Sequence, residues 1–145
     1  MQAESTHQVF DWLWTSGHLS EDDIAELPGY GIKHLINLAP PNASLVLPRE
    51  AELVSGLGIN YFQLPVTWTQ PEPEKLSTFI KLLSGLEGEN TWIHCVKNMR
   101  VSTFVYLYRK LHLQESDETA RFPMQQVWQP DEVWTKFIAQ ALQRP

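Results

Sequence analysis

Short apolar runs alternate with amphipathic stretches along most of this chain. Residues 32–38, residues 59–64 and Thr91–His94 are apolar runs bounded by glycine, proline or polar residues, which is typical of buried strands. Residues 9–14 are apolar apart from Asp11 and are predicted to form an edge strand. Thr91–His94 is the shortest of the four runs, and we expect it at the centre of the sheet.

Helices are predicted between these strands. Residues 74–86 carry apolar side chains at helical spacing, and residues 101–113 form the long amphipathic segment after the last strand. A shorter helix begins at Ser20, which caps an acidic first turn, and it ends at Pro28. Residues 49–57 are predicted to form a fourth helix.

The C-terminal part is predicted to add two more helices. They span residues 117–127 and 131–142 and are separated by a Gln-Pro pair. Trp128, Trp134 and Phe137 are interpreted as core residues rather than ligand contacts.

Strands that alternate with helices indicate an α/β fold. We expect a mostly parallel central sheet of four to five strands flanked by helices. At 145 residues, with 43% hydrophobic and 19% charged side chains, the chain fits a single globular domain spanning residues 1–145. Ligands of such sheets bind at the carboxyl ends of the strands. Asn37, Pro65 and Cys95 lie where predicted strands end, so we expect all three on one rim.

The candidate chemistry lies in the stretch from His94 to Arg100. A strand that turns through a short loop into a helix directs its backbone N–H groups at one point, where an anion can bind. The same field stabilises a thiolate, so Cys95, the only cysteine, is a candidate nucleophile at neutral pH. Lys97 and Arg100 add positive charge within the loop. A lone cysteine is otherwise an inert buried side chain.

At these residues the chain resembles the cysteine-dependent phosphatases of the tyrosine and dual-specificity type, whose signature is His-Cys-x5-Arg-Ser/Thr. It is similar in particular to the short bacterial phosphatases of the beta-lactamase-hydrolase-like group. Residues 15–20, 36–38 and 64–66 also fit that group, and the resemblance covers about residues 12 to 110.

The resemblance implies a dual-specificity-phosphatase-like fold and the hydrolysis of a phosphomonoester through a phosphocysteine. Cys95 would attack phosphorus, Ser102 would hydrogen-bond the sulfur, and His94 would orient the loop from behind, with Asn37 as a second supporting residue. No metal or other cofactor is required. The residues implied to bind the phosphate are Val96, Lys97, Asn98, Met99 and Arg100.

Two departures from the signature bear on this interpretation. The loop from Cys95 to Arg100 is Cys-x4-Arg, one residue shorter than usual, and Asn98 stands where glycine is common. Asparagine tolerates a positive φ better than most residues, so it can replace that glycine. Thr67 stands where related phosphatases often carry an aspartate as general acid, and threonine cannot supply that proton at neutral pH.

Glu72 and Glu74 are the alternative candidates for the general acid, although two exposed carboxylates in the first turn of a helix are the simpler interpretation. Two other functions remain open. The six-residue loop matches that of rhodanese-type sulfurtransferases, in which Cys95 would carry a persulfide. The missing acid is also compatible with a catalytically weak module that binds phosphate or a phosphoprotein.

Charge and cysteine content limit the partners. The net charge of −6 argues against nucleic acid or an anionic membrane, so the expected partner is a phosphorylated protein or small molecule. One cysteine permits no internal disulfide, which fits a reducing compartment, and no signal peptide or membrane-length apolar run is visible. We therefore expect a cytoplasmic protein. No histidine or cysteine pair has metal-ligand spacing. Substrate identity and oligomeric state stay open.

Overall fold

The computed structural model describes residues 1–43, 45 and 47–143, and five short strands in it form one sheet. Their order across the sheet is β1-β2-β5-β3-β4, with β1 antiparallel to β2 and every other neighbouring pair parallel. The mostly parallel α/β sheet and the central place of β5 are thus confirmed. The strands are β1 His7–Phe10, β2 Leu13–Ser16, β3 His34–Asn37, β4 Asn60–Gln63 and β5 Thr91–His94.

The prediction of one edge strand over residues 9–14 was wrong. The chain turns at Asp11 and Trp12 and makes two strands, of which β1 is the edge and β2 lies inside the sheet, beside β5. Asp11 is the single polar residue among residues 9–14 and lies in this turn, so the strict alternation of one continuous edge strand is absent. All five strands have four residues, and β5 is therefore not the shortest.

Helices cover the sheet. The predicted cap at Ser20 is confirmed: its hydroxyl accepts from the Asp23 N–H, and the Asp23 carboxylate accepts from the Ser20 N–H. None of the helices described is long and apolar enough to cross a membrane. They are α1 Glu21–Glu26, a 3-10 helix Leu27–Tyr30, α2 Glu50–Gly56, α3 Pro73–Gly85, α4 Met99–Leu111, α5 Asp117–Ala120, α6 Met124–Val127 and α7 Glu132–Gln143.

The predicted helix over residues 117–127 is two short helices, α5 and α6, with a break between them. Pro123 lies in the break, and it has no N–H to continue a helical hydrogen-bond ladder. The prediction for residues 131–142 agrees with α7 to within one residue at each end.

The two faces of the sheet have separate cores, as the alternation of side chains along a strand requires. Leu35 and Trp92 pack toward α1 and α2, whereas the next residues, Ile36 and Ile93, pack toward α3, α4 and α7. Helix α4 is buried along most of its length, because α3, α5, α6 and α7 all contact it. The helix that follows the cysteine loop is therefore rigidly held.

Candidate active site

The cysteine loop connects the central strand to the most buried helix. Strand β5 ends at His94, Cys95 follows with 1% of its surface exposed, and α4 begins at Met99. The loop is therefore fixed at both ends by core elements. Its length places the first turn of α4, with its free backbone N–H groups, next to the cysteine.

Asn98 turns the chain into α4 in the left-handed conformation, with φ of 66°. This confirms the prediction that asparagine takes the place of a glycine here. Its side chain is buried and donates to the Ser5 carbonyl oxygen at 2.8 Å and to the Thr15 hydroxyl oxygen at 3.0 Å. Asn98 therefore supports the loop from behind and does not face the ligand side.

On its open side the loop borders a pocket of about 270 Å³. The structure brings the predicted nucleophile and the predicted arginine to this one pocket. Asn98 is the one predicted phosphate-binding residue that does not reach it. The lining residues are Ala43, Trp68, Cys95, Val96, Lys97, Met99 and Arg100.

Arg100 connects the pocket to the loop that follows β4. Its Nη1 donates to the Val66 carbonyl oxygen at 3.0 Å, and its guanidinium lies 5.8 Å from the centre of the Trp68 ring. Arg100 is only 8% exposed, and among the described residues its guanidinium has this one hydrogen bond, although it carries five N–H groups. The strand ends do lie side by side, since the Leu38 N–H donates to the His94 carbonyl oxygen at 2.9 Å and the Val66 N–H donates to the Leu38 carbonyl oxygen at 2.8 Å.

A group of tryptophans holds Trp68 at the pocket. Its ring centre lies 5.2 Å from that of Trp128 and 5.8 Å from that of Trp134. The fully buried Trp134 also donates its Nε1–H to the Trp68 carbonyl oxygen at 2.9 Å. Trp134 and Phe137 are core residues, as predicted, but Trp134 also fixes a residue that lines the pocket.

Gly17 allows the chain after β2 to pass against the cysteine loop. A Cβ at this position would lie 2.7 Å from the Val96 carbonyl oxygen, closer than real Cβ atoms come to oxygen. The neighbouring His18 N–H donates to the same oxygen at 2.9 Å, and the Gly17 N–H donates to the Glu4 carbonyl oxygen at 2.7 Å. The first residues of the chain and β2 therefore form the back wall of the loop.

A buried polar network lies behind Cys95. His94 faces the Glu50 carboxylate through Nε2 at 2.8 Å and the Cys95 carbonyl oxygen through Nδ1 at 3.2 Å. The same Glu50 oxygen accepts from the Tyr61 hydroxyl and from the Asn37 amide. The sequence indicated Asn37 and His94 as supporting residues, but it gave no signal for Glu50 or Tyr61, which only the packing of α2 and β4 brings here.

Burial, and then the hydrogen bond to Glu50, raise the pKa of Tyr61 well above its ordinary value. Tyr61 therefore stays a neutral hydroxyl that donates to the carboxylate. Asn37 has a second role, because its Oδ1 accepts from the Ala39 N–H at 2.9 Å and so shapes the chain as it leaves β3.

The candidate general acids lie away from this pocket. Glu72 precedes α3 and Glu74 occupies its first turn; both are exposed, and neither lines the pocket. Thr67 is exposed in the same loop. This conformation therefore presents no carboxylic acid from that loop to the sulfur.

Ser102 differs from the expectation that it bonds the sulfur. Its hydroxyl donates to the Met99 carbonyl oxygen at 3.2 Å, one turn back in α4, so its single proton is directed away from Cys95. Lys97 is exposed at the pocket rim. Within the described ranges, no group of three or more histidine, cysteine, aspartate or glutamate residues is placed to hold a metal ion.

The fold of this chain is similar to that of several solved phosphatase structures. A Shewanella putrefaciens protein described as a candidate phosphatase (DUF442) is 26% identical, with a TM-score of 0.84 over 97% of this chain and 92% of the other. Tk-PTP in its active form is 16% identical, with a TM-score of 0.80 over 97% and 98%. The catalytic domain of the Saccharomyces cerevisiae PP-IP phosphatase SIW14 is 16% identical, with a TM-score of 0.76 over 97% and 87%. No known protein-family profile and no curated protein matches the chain.

Proposed function

We propose that this chain is a member of the cysteine-dependent PTP-like superfamily, to which its solved structural neighbours belong, and that it hydrolyses a phosphomonoester through a phosphocysteine intermediate. One observation carries the proposal. Cys95 and Arg100 line the same pocket, at the carboxyl end of the central strand and at the beginning of α4. A thiolate nucleophile and a guanidinium suited to phosphate oxygens therefore meet at one anion site.

The reaction proceeds in two displacements. The Cys95 Sγ thiolate attacks phosphorus in line, the S–P bond forms, and the bond from phosphorus to the leaving oxygen breaks with its electron pair going to that oxygen. Arg100 and the backbone N–H groups of the loop hold the three equatorial oxygens. Water then attacks phosphorus, the thiolate leaves, and inorganic phosphate is released.

The pocket favours substrates whose leaving group departs without a proton. None of its seven lining residues carries a carboxyl group, and Glu72 and Glu74 lie outside it. Aryl phosphates, which release a weakly basic phenolate, should therefore react far faster than alkyl phosphates. The partner is a phosphorylated protein or small molecule. Among proteins of the same fold, a TpbA variant has been solved with phosphotyrosine and PTPMT1 with PI(5)P.

Turnover of para-nitrophenyl phosphate tests the proposal. We expect slow hydrolysis that Cys95→Ser abolishes and Arg100→Ala reduces at least ~10²-fold. Arg121→Ala is the matched control, because Arg121 is exposed and, among the residues that the structure describes, its guanidinium pairs only with Asp117. Equal hydrolysis by the wild type and Cys95→Ser would contradict the proposal.

Sulfur transfer is the second candidate, and the short Cys-x4-Arg loop favours it. Cys95 would take the outer sulfur of thiosulfate as a persulfide and release sulfite, and cyanide would then remove that sulfur as thiocyanate. Cysteine-dependent thiocyanate formation without phosphate ester hydrolysis would select this function. Binding of phosphate without hydrolysis of a phosphate ester and without formation of thiocyanate would indicate a binding module.

A further inference from the structure

A second pocket lies between α3 and α7, away from the cysteine loop. Both helices pack on α4, and a cleft of about 450 Å³ remains between them, where the last turn of α4 also reaches it. Among the described residues, none that lines this cleft also lines the pocket at Cys95. The reaction proposed above therefore leaves the cleft without a role.

The inner part of this cleft is apolar. Leu76, Phe137 and Ala141 line it and are buried, and the half-buried Ile80 and Leu111 line it as well. Such side chains offer water no hydrogen-bond partner, whereas a hydrocarbon group placed on them is removed from water. The volume lies within the range of about 300–1,000 Å³ typical of small-molecule sites, which are also mostly apolar. The cleft therefore suits an apolar ligand group.

The polar side chains of the cleft lie at its exposed rim. They are Ser77 and Lys81 on α3 and Gln140 on α7. Lys81 is the one charged side chain among the described lining residues, and in the described part of the chain no acidic side chain forms an ion pair with it. Although the whole chain has a net charge of −6, the charge at this rim is therefore positive. An apolar interior below a single cation matches a ligand with a hydrocarbon chain and an anionic end.

We propose that this cleft binds a free fatty acid of medium chain length. Its hydrocarbon chain packs on Leu76, Phe137 and Ala141, and its carboxylate lies at the rim beside Lys81. A water-sized group occupies about 30 Å³ in a liquid, so a cleft of about 450 Å³ holds at most about 15 of them. That limit fits one hydrocarbon chain and excludes a lipid with two. The inference goes beyond the proposed function and does not depend on it.

Calorimetric titration with decanoate tests the inference through substitutions in the cleft. Ala141→Leu fills its inner part and should weaken binding at least about tenfold, whereas Ala139→Leu, at an exposed position of the same helix outside the cleft, should bind as the wild type does. Lys81→Gln should weaken the binding of decanoate about two- to fivefold, as loss of an exposed ion pair does, without weakening that of decanol, and Lys81→Arg should restore it. Wild-type affinity in Ala141→Leu, or an equal loss for decanol and decanoate in Lys81→Gln, would overturn the inference.

Measurements on the unsubstituted protein cover the case in which Ala141→Leu does not fold. Each buried CH2 group contributes about fourfold in affinity, so decanoate should bind up to about 15-fold more tightly than octanoate. Equal affinities, or no binding of decanoate, would overturn the inference. Inorganic phosphate should leave the binding of decanoate unchanged, and competition between them would locate the carboxylate at Arg100 and overturn it as well.

The proposed function is judged separately, by turnover of para-nitrophenyl phosphate. Binding of decanoate in the cleft without turnover would sustain the fatty-acid site and refute the phosphatase. Turnover without binding of decanoate would do the reverse.

Discussion

Gly17→Ala should disturb the candidate site even though Gly17 touches no substrate. The added methyl group would lie 2.7 Å from the Val96 carbonyl oxygen, 3.2 Å from the Glu4 carbonyl oxygen and 3.3 Å from the Lys97 Cα. All three are backbone atoms, so no side chain can rotate away to relieve the contact. The cysteine loop or the segment before β1 must shift instead.

The cost can be estimated from the kind of contact. Overpacking a closely packed position costs about 1–3 kcal/mol. Alanine recovers about 0.4–1 kcal/mol by restricting the unfolded chain. We therefore expect Gly17→Ala to lose about 1–2 kcal/mol of unfolding free energy and to slow the turnover of para-nitrophenyl phosphate, because Val96 belongs to the pocket wall.

Urea unfolding of the wild type, Gly17→Ala and Gly56→Ala measures this effect. Gly56 is the matched control, since a Cβ there meets nothing within 4 Å and the residue is helical. That variant should be as stable as the wild type or more stable. Equal stability of the two alanine variants would refute the steric reasoning, and full turnover by Gly17→Ala would refute its link to the loop.

Three further predictions concern the helix cap, the missing acid and one surface carboxylate. Asn98→Ala should be less stable to urea than Asn98→Gly by about 1 kcal/mol, because both variants lose the hydrogen bonds of the Asn98 side chain but only alanine is strained at φ of 66°. Equal stabilities of the two variants would contradict this. Thr67→Asp should raise alkyl phosphate hydrolysis by part of the ~10²–10⁴ typical of an acid; no gain would mean that the loop does not present residue 67 to the sulfur. The Tyr106 hydroxyl, and then Arg121, lower the pKa of Asp117, although its slight burial opposes them. The ionised carboxylate contributes stability at pH values above the pKa that Asp117 has in the unfolded chain, and this contribution is lost as the pH falls through the lower pKa of the folded protein. Asp117→Asn should therefore cost less than about 1 kcal/mol of unfolding free energy at neutral pH and nothing in strong acid. A cost independent of pH would contradict this.

The parts of the fold that could be predicted from the sequence are those that short-range rules determine. Ser20 caps a helix because its own hydroxyl reaches the N–H of Asp23. The positive φ of Asn98 could be expected because asparagine stands where the resembling phosphatases commonly carry glycine, and asparagine tolerates that conformation. The rim of strand ends follows from a parallel sheet, in which all carboxyl ends point the same way.

The parts that could not be predicted depend on contacts between distant segments. Glu50 resembles any acidic residue in the first turn of a helix until α2 packs against β4 and its carboxylate reaches Asn37, Tyr61 and His94. The bond from Arg100 to Val66 joins residues 34 positions apart. The reversal at Asp11 is marked only by one polar residue between two apolar runs, which does not by itself distinguish a turn from a polar position within a strand.

The segment before β1 supports the cysteine loop with its main chain. The carbonyl oxygens of Glu4 and Ser5 accept from the Gly17 N–H and from the Asn98 amide. A carbonyl is the same in every residue, so these two hydrogen bonds place no requirement on the side chains at positions 4 and 5. The backbone of Ser5, with φ of 52°, favours glycine, asparagine and aspartate there. Loss or gain of one residue between Glu4 and β1, however, would move both acceptors out of register. Across related chains we therefore expect the length of this segment to be kept while its composition varies. We expect the glycine at position 17 to be kept as well.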